Sequence, residues 1–280
     1  MSRRWLITGA TGLLGDYLRD ACASEGPVAT TGGHGGDRPC DLRDHEAVRS
    51  LLADTAPDVV LHAAALTDIE RCERAPAEAF AINRDAAANI AACLPPPAQM
   101  VFISTDQVYP DTPGPHGEEV TGPVNVYGQS KLAGEQAALA HPGALVLRTN
   151  FFGPARRAGR ESLSDFVVRT LSSGQAVTLF SDILFSPLHM ATLSGLLVEL
   201  VRRRTTGLFN AGCRNGASKA DFAFAIARHK KLQTGTAKIG HSESLPGRAP
   251  RPKDMRLDVR RLETVLGRRM PTLQEEIAKL

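Results

Sequence analysis

Tyr127 and Lys131 stand four residues apart in the segment Tyr127-Gly128-Gln129-Ser130-Lys131, a spacing that puts both side chains on one face of a helix. That pairing suits reduction of a ketone. A phenol is a poor acid near neutral pH, and a neighbouring ammonium stabilises its phenolate. Tyr127 is therefore the candidate proton donor to the oxygen that forms as hydride arrives. Lys131 is its activating cation and a ligand for a nicotinamide ribose. A Tyr-x-x-x-Lys pair also arises by chance, so its position carries the argument. It follows a strand-like run, Met100–Ser104, whose carboxyl end delivers Ser104 and Thr105, hydroxyls able to orient a carbonyl. Ligands of open α/β sheets bind at that end of the strands.

A second group of residues points to the hydride source. Gly9, Gly12 and Gly15 punctuate Gly9-Ala10-Thr11-Gly12-Leu13-Leu14-Gly15, between the apolar run Trp5–Thr8 and a helical pattern reaching about Ser24. Glycines so placed allow a tight turn, close approach of backbone to a pyrophosphate, and close helix–strand packing. The next strand-like run, Val28–Thr31, lacks the terminal Asp or Glu that would hold the ribose hydroxyls of NAD. The first carboxylate beyond it is Asp37, and Arg38 and His34 are near enough to meet a 2′-phosphate. This favours NADPH and leaves NADH possible. Asp41 in Cys40-Asp41-Leu42 reads as an acceptor for the adenine amine, or else as a turn or helix-cap residue.

Elements that position these groups follow from periodicity. Strands are predicted at Trp5–Thr8, Val28–Thr31, Pro57–His62, Met100–Ser104 and Ala144–Arg148, with helices at Asp44–Ala53, Pro76–Cys93 and Asn125–Ala140. Five strand–helix units predict an α/β fold of Rossmann type, a doubly wound parallel sheet. Residues 1–150 form the expected NAD(P)-binding domain. Residues 151–280 form mainly a smaller substrate-binding lobe, with some segments returning to the first. Helices are expected there at Glu161–Ser173, Met190–Arg204, Ser218–His229 and Leu273–Leu280, and strands at Val177–Phe180 and Gly207–Asn210.

Composition narrows the function classes. A net charge of +3 and 5% aromatic residues argue against a nucleic-acid partner, and Arg202-Arg203-Arg204 reads as the solvated end of a helix. Five scattered cysteines without a CxxC pair argue against a zinc site or a disulfide framework and fit a reducing cytosol. No signal-like region precedes the first strand and no run is long enough for a membrane span, so a cytoplasmic protein with no membrane partner and no metal is expected. His62, at a strand end, reads as a packing residue.

Taken together these motifs resemble the extended short-chain dehydrogenase/reductase family over most of the chain. The resemblance implies that Gly9, Thr11, Gly12, Leu13, Leu14 and Gly15 form the cofactor turn and that Asp41 and Leu42 contact adenine. Ala63, Ala64 and Ala65 would line the nicotinamide half, beside Tyr127 and Lys131, and Asn83 matches the family's structural and proton-relay Asn. Thr105 matches the active hydroxyl. Thr67, Thr105, Asp106 and Asn150 would touch substrate. Ala63-Ala64-Ala65-Leu66-Thr67-Asp68, the segment Pro123–Glu135 and the late Arg251-Pro252…Leu257-Asp258 are most similar to the dTDP-4-dehydrorhamnose reductases. A nucleotide-sugar substrate and a homodimer are what the resemblance implies for partners. Departures are the Gly32–Gly36 loop, Tyr109-Pro110 in place of Phe-Asp-Gly, and Asp16-Tyr17 in place of a Glu used by some relatives for a magnesium-linked dimer. Two other classes stay open: a nucleotide-sugar epimerase or dehydratase, and a non-catalytic subunit resembling the regulatory subunit of methionine adenosyltransferase. Dehydratases of this superfamily carry Glu where this chain has Gln107, and an amide oxygen is too weakly basic to remove the proton beside a ketone.

Overall fold

In the computed structural model, which describes residues 2–32, 36–244 and 247–280, five apolar runs of the first half become neighbouring strands of one sheet. They are β1 (Trp5–Thr8), β2 (Val28–Thr31), β3 (Val59–His62), β4 (Gln99–Thr105) and β5 (Ala144–Thr149). Between them run α1 (Gly15–Ala23), α2 (His45–Thr55), α3 (Ile69–Arg74), α4 (Pro76–Phe80), α5 (Ala86–Cys93) and α6 (Val126–Leu139). β1, β3, β4 and β5 are buried along their whole length, as strands covered by helices on both faces must be. Side chains alternate between two cores. Leu6, Val60, Met100 and Phe102 pack towards α2 and α5, while Ile7, Leu61, Val101 and Leu147 pack towards α1 and the later helices.

The second half begins with β6 (Phe151–Phe152), α7 (Leu163–Ser172), β7 (Val177–Phe180), β8 (Leu184–Phe185), β9 (Leu188–His189) and α8 (Met190–Arg202). It continues through β10 (Gly207–Ala211), β11 (Ala217–Ser218), α9 (Lys219–Lys230), β12 (Ala237–Gly240), β13 (Asp254–Met255), α10 (Arg260–Leu266) and α11 (Leu273–Ile277). The six-stranded sheet runs β10–β5–β4–β3–β1–β2 with every pair parallel. This is the expected doubly wound Rossmann-type α/β sheet. Strand order reverses between β1 and β3, so the crevice for a ligand opens at their carboxyl ends.

Two departures from the sequence expectation lie beside that crevice. The helix expected over Pro76–Cys93 is interrupted by a π-helical turn, Ala81–Asp85, and α3 precedes it. Asp68 caps α3 by accepting from Arg71 N at 2.9 Å, which stops the chain after β3 from running straight into α4. No helix among the described residues is long and apolar enough to cross a membrane. His34 lies outside the described residues.

Candidate active site

β1 ends in a turn that packs on the segment after β3. Gly9 has φ +70°, and a Cβ there would stand 2.6 Å from Ala64 N, so only glycine lets the two segments meet. At Gly15 a Cβ would fall 2.2 Å from Ala10 O, which fixes the start of α1 against its own turn. Gly12 N donates to Gly9 O at 2.9 Å, whereas the N–H groups of Leu13 and Leu14 have no protein acceptor among the described residues. Such free donors at a helix start suit a phosphate. Thr8 Oγ1 holds the opposite wall by accepting from Ala64 N at 3.2 Å, and it lies 2.7 Å from His62 Nδ1. Burial, and then the charge of Lys131, push the His62 ring down to about 3. His62 is neutral and buried, as its packing role requires.

One cleft of about 1190 Å³ joins this turn to the carboxyl ends of β3, β4 and β5. Gly9, Thr11, Gly12, Leu13 and Leu14 line it, with Asp41, Leu42, Ala63, Ala64, Ala65 and Thr67. Thr105, Asp106, Tyr127, Lys131 and Asn150 complete the same wall system. Gly15 and Arg38 are off that wall. Arg38 instead borders a smaller hollow with Cys40 and Asp54, and its N–H donates to Thr30 O. Asp37 folds back on β2, accepting from Thr30 N at 3.1 Å and Thr30 Oγ1 at 2.9 Å. Asp41 is gripped by Arg43 through both oxygens, at 2.9 and 2.7 Å, which holds its carboxyl down at about 2. Arg43 also lines the cleft, a cation that the sequence reading passed over. Its nearness to Asp41-Leu42 was the available signal.

The other end of the cleft is built on the first turns of α6. Asn125 caps that helix by accepting from Gly128 N at 2.8 Å, and its amide donates to Gln107 Oε1 and Pro250 O. Tyr127 and Lys131 share the buried face. Burial raises the Tyr127 phenol well above its ordinary value, and a hydrogen bond with the Thr105 side chain works the other way. Lys131 is 2% exposed and donates to Ile103 O at 2.6 Å, with its Nζ 4.0 Å from the centre of the Phe102 ring. Burial pulls this ammonium down to about 7, against the attraction of Glu135. Asp106 is pushed up by burial despite the hydrogen bond it accepts from Asn150 Nδ2 at 2.7 Å.

Behind these groups lies a polar network invisible in the sequence. Glu135 and Arg148 form a buried ion pair at 2.8 Å, 1% and 3% exposed. Ser104 donates to Glu135 at 2.5 Å, and Arg148 donates to Tyr109 Oη at 3.2 Å and Glu118 O at 2.9 Å. Both carboxylate oxygens of Glu135 are thus satisfied, the condition for a buried charge to be tolerated. The second half adds Phe151 and Gly159, Arg160 and Glu161 to the cleft.

Fold and cleft together define a dehydrogenase/reductase of the extended short-chain type. The chain belongs to the RmlD substrate binding domain family, whose model matches residues 3–280. It is 37% identical over 264 residues to a dTDP-4-dehydrorhamnose reductase of Mycolicibacterium smegmatis, covering 90% of this chain and 77% of that one. It is also 30% identical over 284 residues to methionine adenosyltransferase 2 subunit beta of Bos taurus, covering 96% and 85%. The crystal structure of a Bacillus anthracis dTDP-4-dehydrorhamnose reductase in complex with NADP has a TM-score of 0.91, covering 100% of this chain and 98% of that one. Its identity is 23%, a likeness of fold.

Proposed function

We propose that this protein is an NADPH-dependent reductase of the ketone of a nucleotide-linked deoxysugar, with Tyr127 as proton donor. One observation carries the reading: a single cleft joins the glycine turn to Thr105, Tyr127 and Lys131. The residues present suit a dinucleotide. Free N–H groups of Leu13 and Leu14 face the phosphate end, Gly9 and Gly15 keep the backbone close, and Ala63–Ala65 offer no bulk at the ring end. When bound, a reduced nicotinamide supplies hydride to the carbonyl carbon.

This chain's own residues then handle the oxygen. Thr105 and Tyr127 hydrogen-bond the carbonyl, and the Tyr127 hydroxyl gives up its proton as negative charge develops. Lys131 supplies the positive charge that makes a buried phenolate tolerable. Asp106, Asn150 and Thr67, which line the same cleft, offer polar contacts for sugar hydroxyls. From the second half, Phe151, Gly159, Arg160 and Glu161 add to the lining. At the position where dehydratases of the resembled superfamily carry a Glu base, this chain has the Gln107 amide, whose oxygen is too weakly basic to take the proton and whose two ends are already engaged. Its Oε1 accepts from Asn125 Nδ2 at 3.0 Å and its Nε2 lies 2.6 Å from Met255 Sδ.

The test is purified protein with NADPH and a dTDP-4-keto-6-deoxyhexose. Stoichiometric loss of reduced-cofactor absorbance is expected. Conversion of an NDP-hexose to its 4-keto-6-deoxy product without external reductant would refute the assignment. A second reading, as a regulatory subunit, draws on the 30% identity to a methionine adenosyltransferase subunit. Turnover by the chain alone makes that reading unnecessary.

A further inference from the structure

Seven charged side chains line the cleft among the described residues, and six have a protein partner of their own. Arg43 is bound to Asp41, Glu78 to Arg71, and Glu161 to Arg169 at 2.6 Å. Asp106 accepts from Asn150, and Lys131 donates to Ile103 O deep in the cleft, beside Tyr127. Arg160 is the seventh. Its guanidinium has no ion pair or hydrogen bond among the described residues, and only its backbone N–H is used, towards Arg157 O. A cleft that takes a dinucleotide and a nucleotide sugar must receive two doubly anionic diphosphates, and backbone N–H groups supply only partial charge.

The loop bearing Arg160 is fastened to the helix that begins at the glycine turn. Arg157 grips Asp16 at 2.7 and 2.9 Å. Arg156 reaches Asp20 at 2.5 Å, with its guanidinium 3.7 Å from the centre of the Tyr17 ring. Tyr17 Oη donates to Pro154 O at 2.9 Å. Asp16, Tyr17 and Asp20 all belong to α1, so loop and glycine turn are held in one frame. Gly159, at φ +75°, turns the chain just before Arg160, and nothing lies within 4 Å of where its Cβ would stand. The cleft is open at that point.

We propose that Arg160 is a diphosphate-binding residue, a fixed-frame cation that closes on the pyrophosphate of the cofactor or of the nucleotide sugar. The inference rests on the reductase reading for its ligands. A guanidinium matches two phosphate oxygens at once, which an isolated ammonium does not.

Arg160→Gln and Arg160→Lys in the full chain test it by direct binding, NADPH by fluorescence and dTDP by calorimetry. Arg160→Gln weakens one of the two ligands by about tenfold or more, the range for a charge-assisted contact. Arg160→Lys recovers part of the loss, and raising the salt concentration shrinks the difference from wild type. Loss confined to NADPH assigns the cofactor diphosphate; loss confined to dTDP assigns the sugar nucleotide. Affinities within about twofold of wild type on both arms, in a variant of unchanged Tm, overturn the proposal. So does a loss that salt leaves untouched. Wild-type protein that binds NADPH and no dTDP sinks the nucleotide-sugar reading instead, and the NADPH arm alone then decides Arg160.

Discussion

Asn83 Nδ2 donates to the Ser130 hydroxyl at 2.9 Å, and that bond fixes the π-helical turn to the first half of α6. The same amide brackets Leu66, accepting from its N–H at 2.8 Å and donating to its carbonyl at 3.0 Å. Three segments thus take their register from one fully buried side chain: the π turn, the stretch leading to Thr67, and the residue before Lys131. A regular α-helix through residues 81–85 would rotate Asn83 away from these partners, which gives the irregular turn its physical reason.

Asn83→Ala leaves Leu66 N–H with no partner among the described residues, Leu66 C=O with only the Cys72 thiol at 3.7 Å, and the Ser130 hydroxyl with only Tyr127 O. A buried polar group left unpaired costs about 1–3 kcal/mol, so the variant is expected to lose at least about 2 kcal/mol of stability. Urea denaturation checks this, and an unchanged midpoint would show that Asn83 holds nothing in place.

Tyr127→Phe removes one hydroxyl and leaves the ring that packs on Leu66 and Cys72. The expected result is a kcat lower by about 100-fold or more with NADPH affinity nearly unchanged, since general acid catalysis contributes roughly 10²–10⁴-fold. Near-full turnover with chemistry rate-limiting would remove Tyr127 from the proton-donor role.

The pH dependence follows from Lys131, held at about 7 by burial. If its charge activates Tyr127, kcat/KM is highest below that value and falls as pH rises through it. Glu135 raises the Lys131 value, so Glu135→Gln moves the alkaline limb towards lower pH. It also leaves Arg148 a buried charge without its partner, at a cost of about 3–5 kcal/mol. Between about 7 and the ordinary 10.5 the folded chain binds fewer protons at Lys131 than the unfolded one. This group's contribution to stability therefore rises with pH across that window. A profile flat from pH 6 to 9 contradicts the assignment.

Cofactor choice is expected to depend on Arg43. With Asp37 turned onto Thr30 and Arg38 facing a separate hollow, Arg43 is the cation beside Asp41 and Leu42 on the cleft wall. Arg43→Ala should lower kcat/KM for NADPH about tenfold and leave NADH nearly unchanged, the scale of one charge-assisted phosphate contact. The opposite outcome, with Arg38→Ala as the damaging change, would return the 2′-phosphate to the residue favoured by the sequence.

The parallel sheet was legible because its strands are covered on both faces and read as short, uninterrupted apolar runs. Trp5–Thr8 and Val28–Thr31 begin and end where the sequence placed them. The residues of the glycine turn and of the Tyr-x-x-x-Lys pair were legible because backbone geometry and helical spacing constrain them locally. What stayed hidden depends on partners distant in the chain. The π turn answers to Leu66 and Ser130, and the Glu135–Arg148 pair joins a helix to the next strand. Two-residue strands such as β8 and β11 are too short to show a period, and β12 escaped because half of it faces solvent.

β10 completes the sheet by pairing with β5, Leu208 beside Val146 and Asn210 beside Arg148. In time this means that the nascent chain presents β5 as a bare edge from residue 149 until residue 211 has been made. At ordinary elongation rates that interval is on the order of several seconds, far longer than local helix and turn formation. During it the ladder groups of an apolar strand lie open to any other strand that passes. A fragment stopping near residue 150 keeps that edge permanently. The first half carries the residues of the nucleotide cradle, and the later strand shields it from its own kind.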